Sequence, residues 1–134
     1  MATQASAVID FTKNGGVIPV IAQDYRSHRV LMLAYMNREA FEETVRSGDV
    51  TFYSRSRRKL WKKGETSGHT LRLIELRIDC DNDSVLARVE LRGPGACHQG
   101  FRSCFFRRFE PGGSLTTDAP PAFDPAEVYR EGQR

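Results

Sequence analysis

LRLIELRIDCDNDSVLARVEL, residues 71–91, carries the clearest structural signal in the chain. Leu71, Leu73, Glu75, Arg77 and Asp79 alternate with Arg72, Ile74, Leu76 and Ile78. Val85, Ala87, Val89 and Leu91 alternate with mostly polar neighbours. A period of two marks extended backbone, because successive side chains leave a strand on opposite faces. A long strand is therefore expected to run into the acidic DCDND segment, with a second strand after it.

Upstream, VIPVIAQD (Val17–Asp24) and VLMLAY (Val30–Tyr35) read as a strand hairpin around a polar turn with Ser27 and His28. Asn37 can cap a helix over Arg38–Arg46, with Glu39 in its first turn, Phe41 and Val45 sharing a face, and Gly48 as the stop. Val50–Ser54 reads as a strand and Ser56–His69 as a polar loop. A Gly-Pro-Gly turn (Gly93–Gly95) leads into Cys97–Cys104 and a last strand over Phe105–Phe109. The expected organisation is a flexible N-terminus over 1–8, one domain over 9–110, and a loop-like tail over 111–134 holding Pro111, Pro120, Pro121 and Pro125. The fold class is mainly β (α+β), with one or two short helices.

A chain of 134 residues, 40% hydrophobic and 28% charged, suits one soluble domain. No run approaches the roughly 18 apolar residues of a membrane span. Met1–Asp10 lacks the basic and apolar regions of a secretory signal, so a cytoplasmic protein with no membrane partner is expected. The net charge of +3 is mild. Its distribution says more: Arg55, Arg57, Arg58, Lys59, Lys62 and Lys63 crowd one stretch, and Asp79, Asp81 and Asp83 another. That separation suits an anionic substrate beside a divalent cation.

Three cysteines without a signal peptide argue for thiols used as thiols. The spacing C-x16-C-x6-C has no zinc-ribbon knuckle and by itself suits buried structural thiols. The neighbours favour metal chemistry: Cys80 lies between two aspartates, Cys97 precedes His98, and Cys104 follows Arg102 and Ser103. Three thiolates match a catalytic zinc that keeps one position open for water, whose pKa it lowers to about 7, giving a hydroxide nucleophile. Asp79, Asp81 and Asp83 at i, i+2 and i+4 fall on one face of a regular strand, with Cys80 on the other. They read either as a polar strand end or as oxygen ligands for magnesium. On such a strand Cys80 cannot share a site with the aspartates. Two metals on opposite faces, a bend in the chain, or a meeting of Cys80 with Cys97 and Cys104 from a second subunit would each resolve this.

The segments IPVIAQD, VLMLAYMN, SRSRRKLWKKGETSG, RIDCDNDS and ACHQGFRSCFFR, taken in order, resemble the phosphoribosyl-AMP cyclohydrolase family from about Ile9 to Arg107. The resemblance implies a pseudobarrel-like or two-sheet sandwich-like β domain in an intertwined homodimer. It implies hydrolysis of the N1–C6 bond of the adenine ring of phosphoribosyl-AMP, the third step of histidine biosynthesis. It also implies one zinc per subunit, held by Cys80 of one chain and Cys97 and Cys104 of the other, with magnesium on Asp79, Asp81 and Asp83. Lys62 and Gln99 fall at positions variable in the family.

Against that background His98, beside the cysteine motif, is a candidate acid–base for the proton N1 must receive. His69 either lines the site or hydrogen-bonds at the surface. Arg55, Arg57 and Lys63 are candidates for gripping the two phosphates of the substrate. Trp61 stacks on a base or anchors the core, and Ser67 in the TSG loop offers a donor to phosphate. A zinc nucleotide deaminase would carry H-x-E and P-C-x-x-C, which are absent. A nucleic-acid module using 55–63 with Phe52, Tyr53 and Trp61 is disfavoured by the acidic ladder, so no nucleic-acid partner is expected.

Overall fold

The computed structural model describes residues 4–129. The elements in chain order are α1 (Gln4–Val8), β1 (Ile18–Asp24), β2 (Val30–Met36), α2 (Arg38–Ser47), β3 (Thr51–Ser54), β4 (Lys59–Lys62), β5 (Leu71–Ile78), β6 (Val85–Leu91), β7 (Arg107–Phe109), β8 (Leu115–Thr117) and α3 (Pro125–Val128). The architecture is mainly β, with short helices. Among the described residues no helix is long and apolar enough to cross a membrane.

The period-two stretch forms two neighbouring strands of a four-stranded sheet ordered β2-β1-β6-β5. β5 pairs antiparallel with β6 from Leu71 opposite Leu91 to Ile78 opposite Val85. The expected hairpin of β1 and β2 is antiparallel, and β1 pairs parallel with β6, Val20 opposite Val85. One sheet face packs inward: Ile18, Val20, Ala22, Leu31, Met36, Leu71, Val85, Ala87 and Val89 cluster with Ile9, Phe11, Phe41 and Phe52. Fully burying each of the larger side chains stabilises the fold by about 1.5–3 kcal/mol. On the opposite face Ile21 stands across from Leu33, and both remain exposed.

α2 begins where Asn37 Oδ1 accepts from Ala40 N at 2.8 Å. It stops at Gly48, whose φ of 80° lets its N–H reach Thr44 O. Its buried face is Ala40, Phe41 and Thr44; Val45, expected beside Phe41, is exposed. Thr44 displaces it because its hydroxyl joins two elements, accepting from Thr51 N at 2.9 Å and lying 2.9 Å from Ala40 O.

Three stretches read as irregular are ordered. Ser56–His69 contains β4, which pairs with β3 so that Trp61 stands opposite Phe52, ring centroids 5.1 Å apart. Cross-strand aromatic packing holds a short hairpin that its charge density hides. The N-terminal stretch forms α1 with Ser6 buried and its carbonyl accepting from Arg38 Nη1 at 2.7 Å; residues 1–3 lie outside the described residues. The tail supplies β8, paired with β7, and α3; residues 130–134 lie outside the described residues.

Candidate active site

An open cavity of about 240 Å³ lies among the β3–β4 hairpin, the loop after it, and the loop carrying the second and third cysteines. Arg57 and Trp61 come from the hairpin, Lys63 and Ser67 from the following loop, and His98 and Cys104 from the cysteine loop. Glycine is required in the second of these: at Gly64, φ 87°, a Cβ would come within 2.6 Å of the His69 backbone. The cysteine loop is closed by Ala96 N to Arg102 O at 2.9 Å and Cys97 N to Phe101 O at 3.1 Å. It is bolted to β2 by Cys104 N to Leu31 O and by Ser103 Oγ donating to Val30 O, both 2.7 Å.

Cys97 is buried, and its sulfur accepts from Gln99 N at 3.4 Å. Cys104 keeps exposed surface, yet protein atoms around its thiol push its pKa up to about 11, with the neighbouring Cys97 adding to the shift and Lys63 opposing it. Lys63 is only 7% exposed, with its own pKa lowered by burial and partly restored by Cys104 and Cys97. A cation confined beside two thiols favours their ionised form. The basic run expected to grip phosphate therefore divides. Arg57 and Lys63 both line this cavity, Lys63 beside the two cysteines. Arg55 lies over the Tyr35 ring at 3.8 Å, in a separate surface groove shared with Tyr53 and Trp61. Trp61 thus packs on Phe52 and also walls both spaces.

The two histidines part company. His98 is exposed and lines the cavity. His69 is 8% exposed, which removes the surface reading, and it is not among the cavity-lining residues. Its Nδ1 is 3.0 Å from Gly95 O and its ring meets Phe123 edge-on at 4.8 Å, so it holds the base of the cysteine loop. Ser67 Oγ accepts from His69 N at 3.1 Å.

The acidic segment is a turn after β5 ends at Ile78, so bending, not strand alternation, gathers its carboxylates. Asp79 Oδ1 accepts from Asp83 N at 3.0 Å and Ser84 N at 3.2 Å, and Asn82 adopts φ 65°. Ligand atoms of Asp79, Asp81 and Asp83 lie within 4.8 Å of one another. Asp81 is raised above the ordinary carboxylate pKa by interaction with Asp83 and Asp79. Asp79 is lowered, because the Asp83 and Ser84 backbone bonds help outweigh its desolvation. Lys13 Nζ stands 3.4 Å from Asp83 and 3.6 Å from Asp81. Cys80, in the same turn, is exposed. Zinc–sulfur bonds of about 2.3 Å put thiolates of one site within about 4 Å of each other. Among the described residues only the aspartates form a three-ligand group this tight, so Cys80 does not join Cys97 and Cys104 within one chain.

Asp24 and Arg102, whose pairing has no signature in the sequence, tie the β1–β2 turn to the cysteine loop. Asp24 Oδ2 accepts from Arg102 Nη2 at 2.9 Å, and Oδ1 accepts from Arg26 N and Ser27 N at 2.8 and 3.1 Å. Burial opposes ionisation of Asp24, but the Ser27, Arg26 and Arg102 bonds together hold its pKa below the ordinary aspartate value. A depressed carboxylate stabilises the fold above its unfolded pKa and loses that contribution as pH falls through the folded value. Asp24→Asn is therefore expected to lower stability by roughly 1–3 kcal/mol at neutral pH. Urea melts of variant and parent at pH 7 should differ by that amount and converge as pH falls below the ordinary carboxylate range; equal midpoints at pH 7 would exclude the role.

A family model described as phosphoribosyl-AMP cyclohydrolase matches residues 32–106, which span β2 through the cysteine loop. Proteins named phosphoribosyl-AMP cyclohydrolase are similar along almost the whole chain. That of Desulforapulum autotrophicum is 55% identical over 122 residues, 91% of this chain and 98% of its own. That of Solibacter usitatus is 53% identical over 121 residues, 90% and 95% respectively. That of Alkalilimnicola ehrlichii is 56% identical over 114 residues, 85% and 79%. With both the cavity-forming segments and the sheet beneath them inside these matches, the chain belongs to the phosphoribosyl-AMP cyclohydrolase family.

Proposed function

We propose that this chain hydrolyses the N1–C6 bond of the adenine ring of phosphoribosyl-AMP to the formimino-aminoimidazole carboxamide ribotide, the third step of histidine biosynthesis, as a cytoplasmic homodimer. The observation that carries the reading is the convergence on one cavity of the Cys104 thiol, with Cys97 beside it, and the His98 imidazole from the cysteine loop, and the Arg57 guanidinium and Trp61 indole from the β3–β4 hairpin. In the reaction water adds to C6, the C6–N1 bond breaks, and N1 takes a proton. Exposed on the cavity wall, His98 is suited to deliver that proton. Arg57 offers a planar donor to a phosphate, and Trp61 a flat wall for the base.

Soft thiols beside a buried lysine fit zinc, held by Cys97 and Cys104 with the partner subunit's Cys80. When bound, it supplies a Lewis acid that activates the attacking water. Cys80 lies apart from the other two thiols in its own chain, which supports a site shared across a dimer. The exposed sheet face of Ile21 and Leu33 gives a second copy an apolar surface to cover. The turn aspartates offer hard oxygen ligands suited to magnesium, whose charge would relieve the repulsion that raises Asp81.

Purified protein with zinc should turn over phosphoribosyl-AMP with loss of its ultraviolet purine spectrum. Asp81→Asn or Asp83→Asn should raise the magnesium concentration for half-maximal rate by roughly tenfold, with zinc content unchanged. Absence of turnover in zinc-loaded protein rejects the activity. Wild-type magnesium dependence in both variants, or zinc lost in parallel, rejects the assignment of the aspartates.

A further inference from the structure

The segment from Asp118 to Tyr129 is bound into the site. Asp118 N donates to Phe106 O at 3.0 Å, and Ala122 N and Phe123 N both donate to Gly100 O, at 2.7 and 3.1 Å. A Cβ at Gly100 would come within 2.6 Å of Phe123 O, and one at Gly95 within 2.9 Å of Phe123 Cε1. These glycines leave the room in which the segment lies. Its anchors therefore grip the same loop that carries Cys97, His98 and Cys104, and the Phe123 ring adds its edge-on contact with His69.

Beyond these anchors the chain turns toward the cavity. Asp124 Oδ1 accepts from Ala126 N at 2.9 Å to start α3, and Tyr129 N donates to Pro125 O at 2.8 Å to end it. Tyr129, half-buried, then lines the cavity with Trp61, Lys63, His98 and Cys104. It also lines the adjoining surface hollow beside His98. Trp61 is the other large aromatic ring on the cavity. The family model's match ends at residue 106, so Tyr129 lies beyond it.

We infer that Tyr129 is a substrate-contact residue whose ring covers the purine, so that the C-terminal segment sets affinity for the nucleotide. The purine identity rests on the function proposed above. A phenol offers a phosphate a single O–H donor and no charge to match that of Arg57 and Lys62 on the same cavity, whereas its flat ring matches a heteroaromatic face. Phe123 and the backbone of α3 hold Tyr129 beside the cavity before the ligand arrives, so less chain has to be ordered for the contact.

Trp61 is the sole tryptophan of the chain, so its fluorescence reports ligand in the cavity independently of turnover. AMP is expected to quench it. Tyr129→Ala should weaken AMP binding and raise KM for phosphoribosyl-AMP by roughly five- to twentyfold, while kcat stays within about twofold. Tyr129→Phe, which keeps the ring, should restore both, and Glu127→Gln on exposed α3 surface should leave both unchanged. A merely structural tyrosine would instead lower the melting temperature or kcat and leave the AMP midpoint alone. Unchanged KM and AMP affinity in Tyr129→Ala, or no AMP quenching in the parent, overturns the inference. Failure of the parent to turn over phosphoribosyl-AMP rejects the proposed activity instead, and the AMP titration then decides the role of Tyr129 alone.

Discussion

Replacing Cys97 or Cys104 by serine is expected to leave a folded chain whose turnover of phosphoribosyl-AMP falls by at least about a thousandfold. The expectation has a structural half and a chemical half. Structurally, neither sulfur belongs to the central apolar cluster, which runs from Ile9 and Phe11 through the sheet to Ala96. The backbone bonds that hold the loop, Ala96 to Arg102 and Cys104 to Leu31, do not involve either sulfur. Serine is nearly isosteric, so the loop should keep its shape. Chemically, a hydroxyl does not ionise near neutral pH, whereas a thiol can release its proton to solvent as a metal binds, even when burial has pushed its pKa up to about 11, as at Cys104. Circular dichroism and melting temperature should match the parent while bound zinc and rate fall together. A Cys97→Ser protein that lacks zinc and turns over at the parental rate would falsify the metal role of the pair.

The parts of this fold that read directly from the residues are those governed by local periodicity. The alternation in Leu71–Leu91 gave β5 and β6, and Asn37 and Gly48 set the ends of α2 to within one residue of expectation. What escaped was decided by contacts between distant segments. β4 looks like a charged loop because Lys59 and Lys62 flank Leu60 and Trp61, and its pairing with β3, Trp61 opposite Phe52 and Leu60 opposite Tyr53, makes it a strand. The proline-rich tail looks loose because its order comes from Gly100 and His69, more than twenty residues away in sequence. Within the site, motif position put Cys97, His98 and Cys104 together, and the structure keeps them on one loop. Motif position also grouped Arg55, Arg57 and Lys63, and there side-chain direction intervened: Arg55 leaves the β3–β4 turn toward a surface groove, while Arg57 and Lys63 line the cavity, Lys63 beside the thiols. His69 and Asp24 act through hydrogen bonds to the cysteine loop, a role without any signature in spacing.

Mixing two inactive proteins should regenerate activity. In the proposed dimer, Cys80→Ala and Cys97→Ala would each remove a ligand from both sites, so each alone is expected to be without measurable turnover. In a heterodimer of the two, one site combines two damaged halves. The other takes an intact Cys80 from the Cys97→Ala chain, and intact Cys97 and Cys104 from the Cys80→Ala chain. Random exchange makes half the dimers mixed, with one working site of two, so total activity should rise from background to about a quarter of the parental value. The chain itself motivates the test: Cys80 is exposed in the acidic turn, and among the described residues no three-ligand group joins it to the buried Cys97. Magnesium-site damage does not confound the result, since all three aspartates are retained in both variants. Exchange is verified by mass spectrometry of differently tagged chains, and zinc content should rise to the same quarter. Proven exchange without recovered rate or zinc would mean that each site is completed within one chain, with the turn carrying Cys80 moving to meet the cysteine loop.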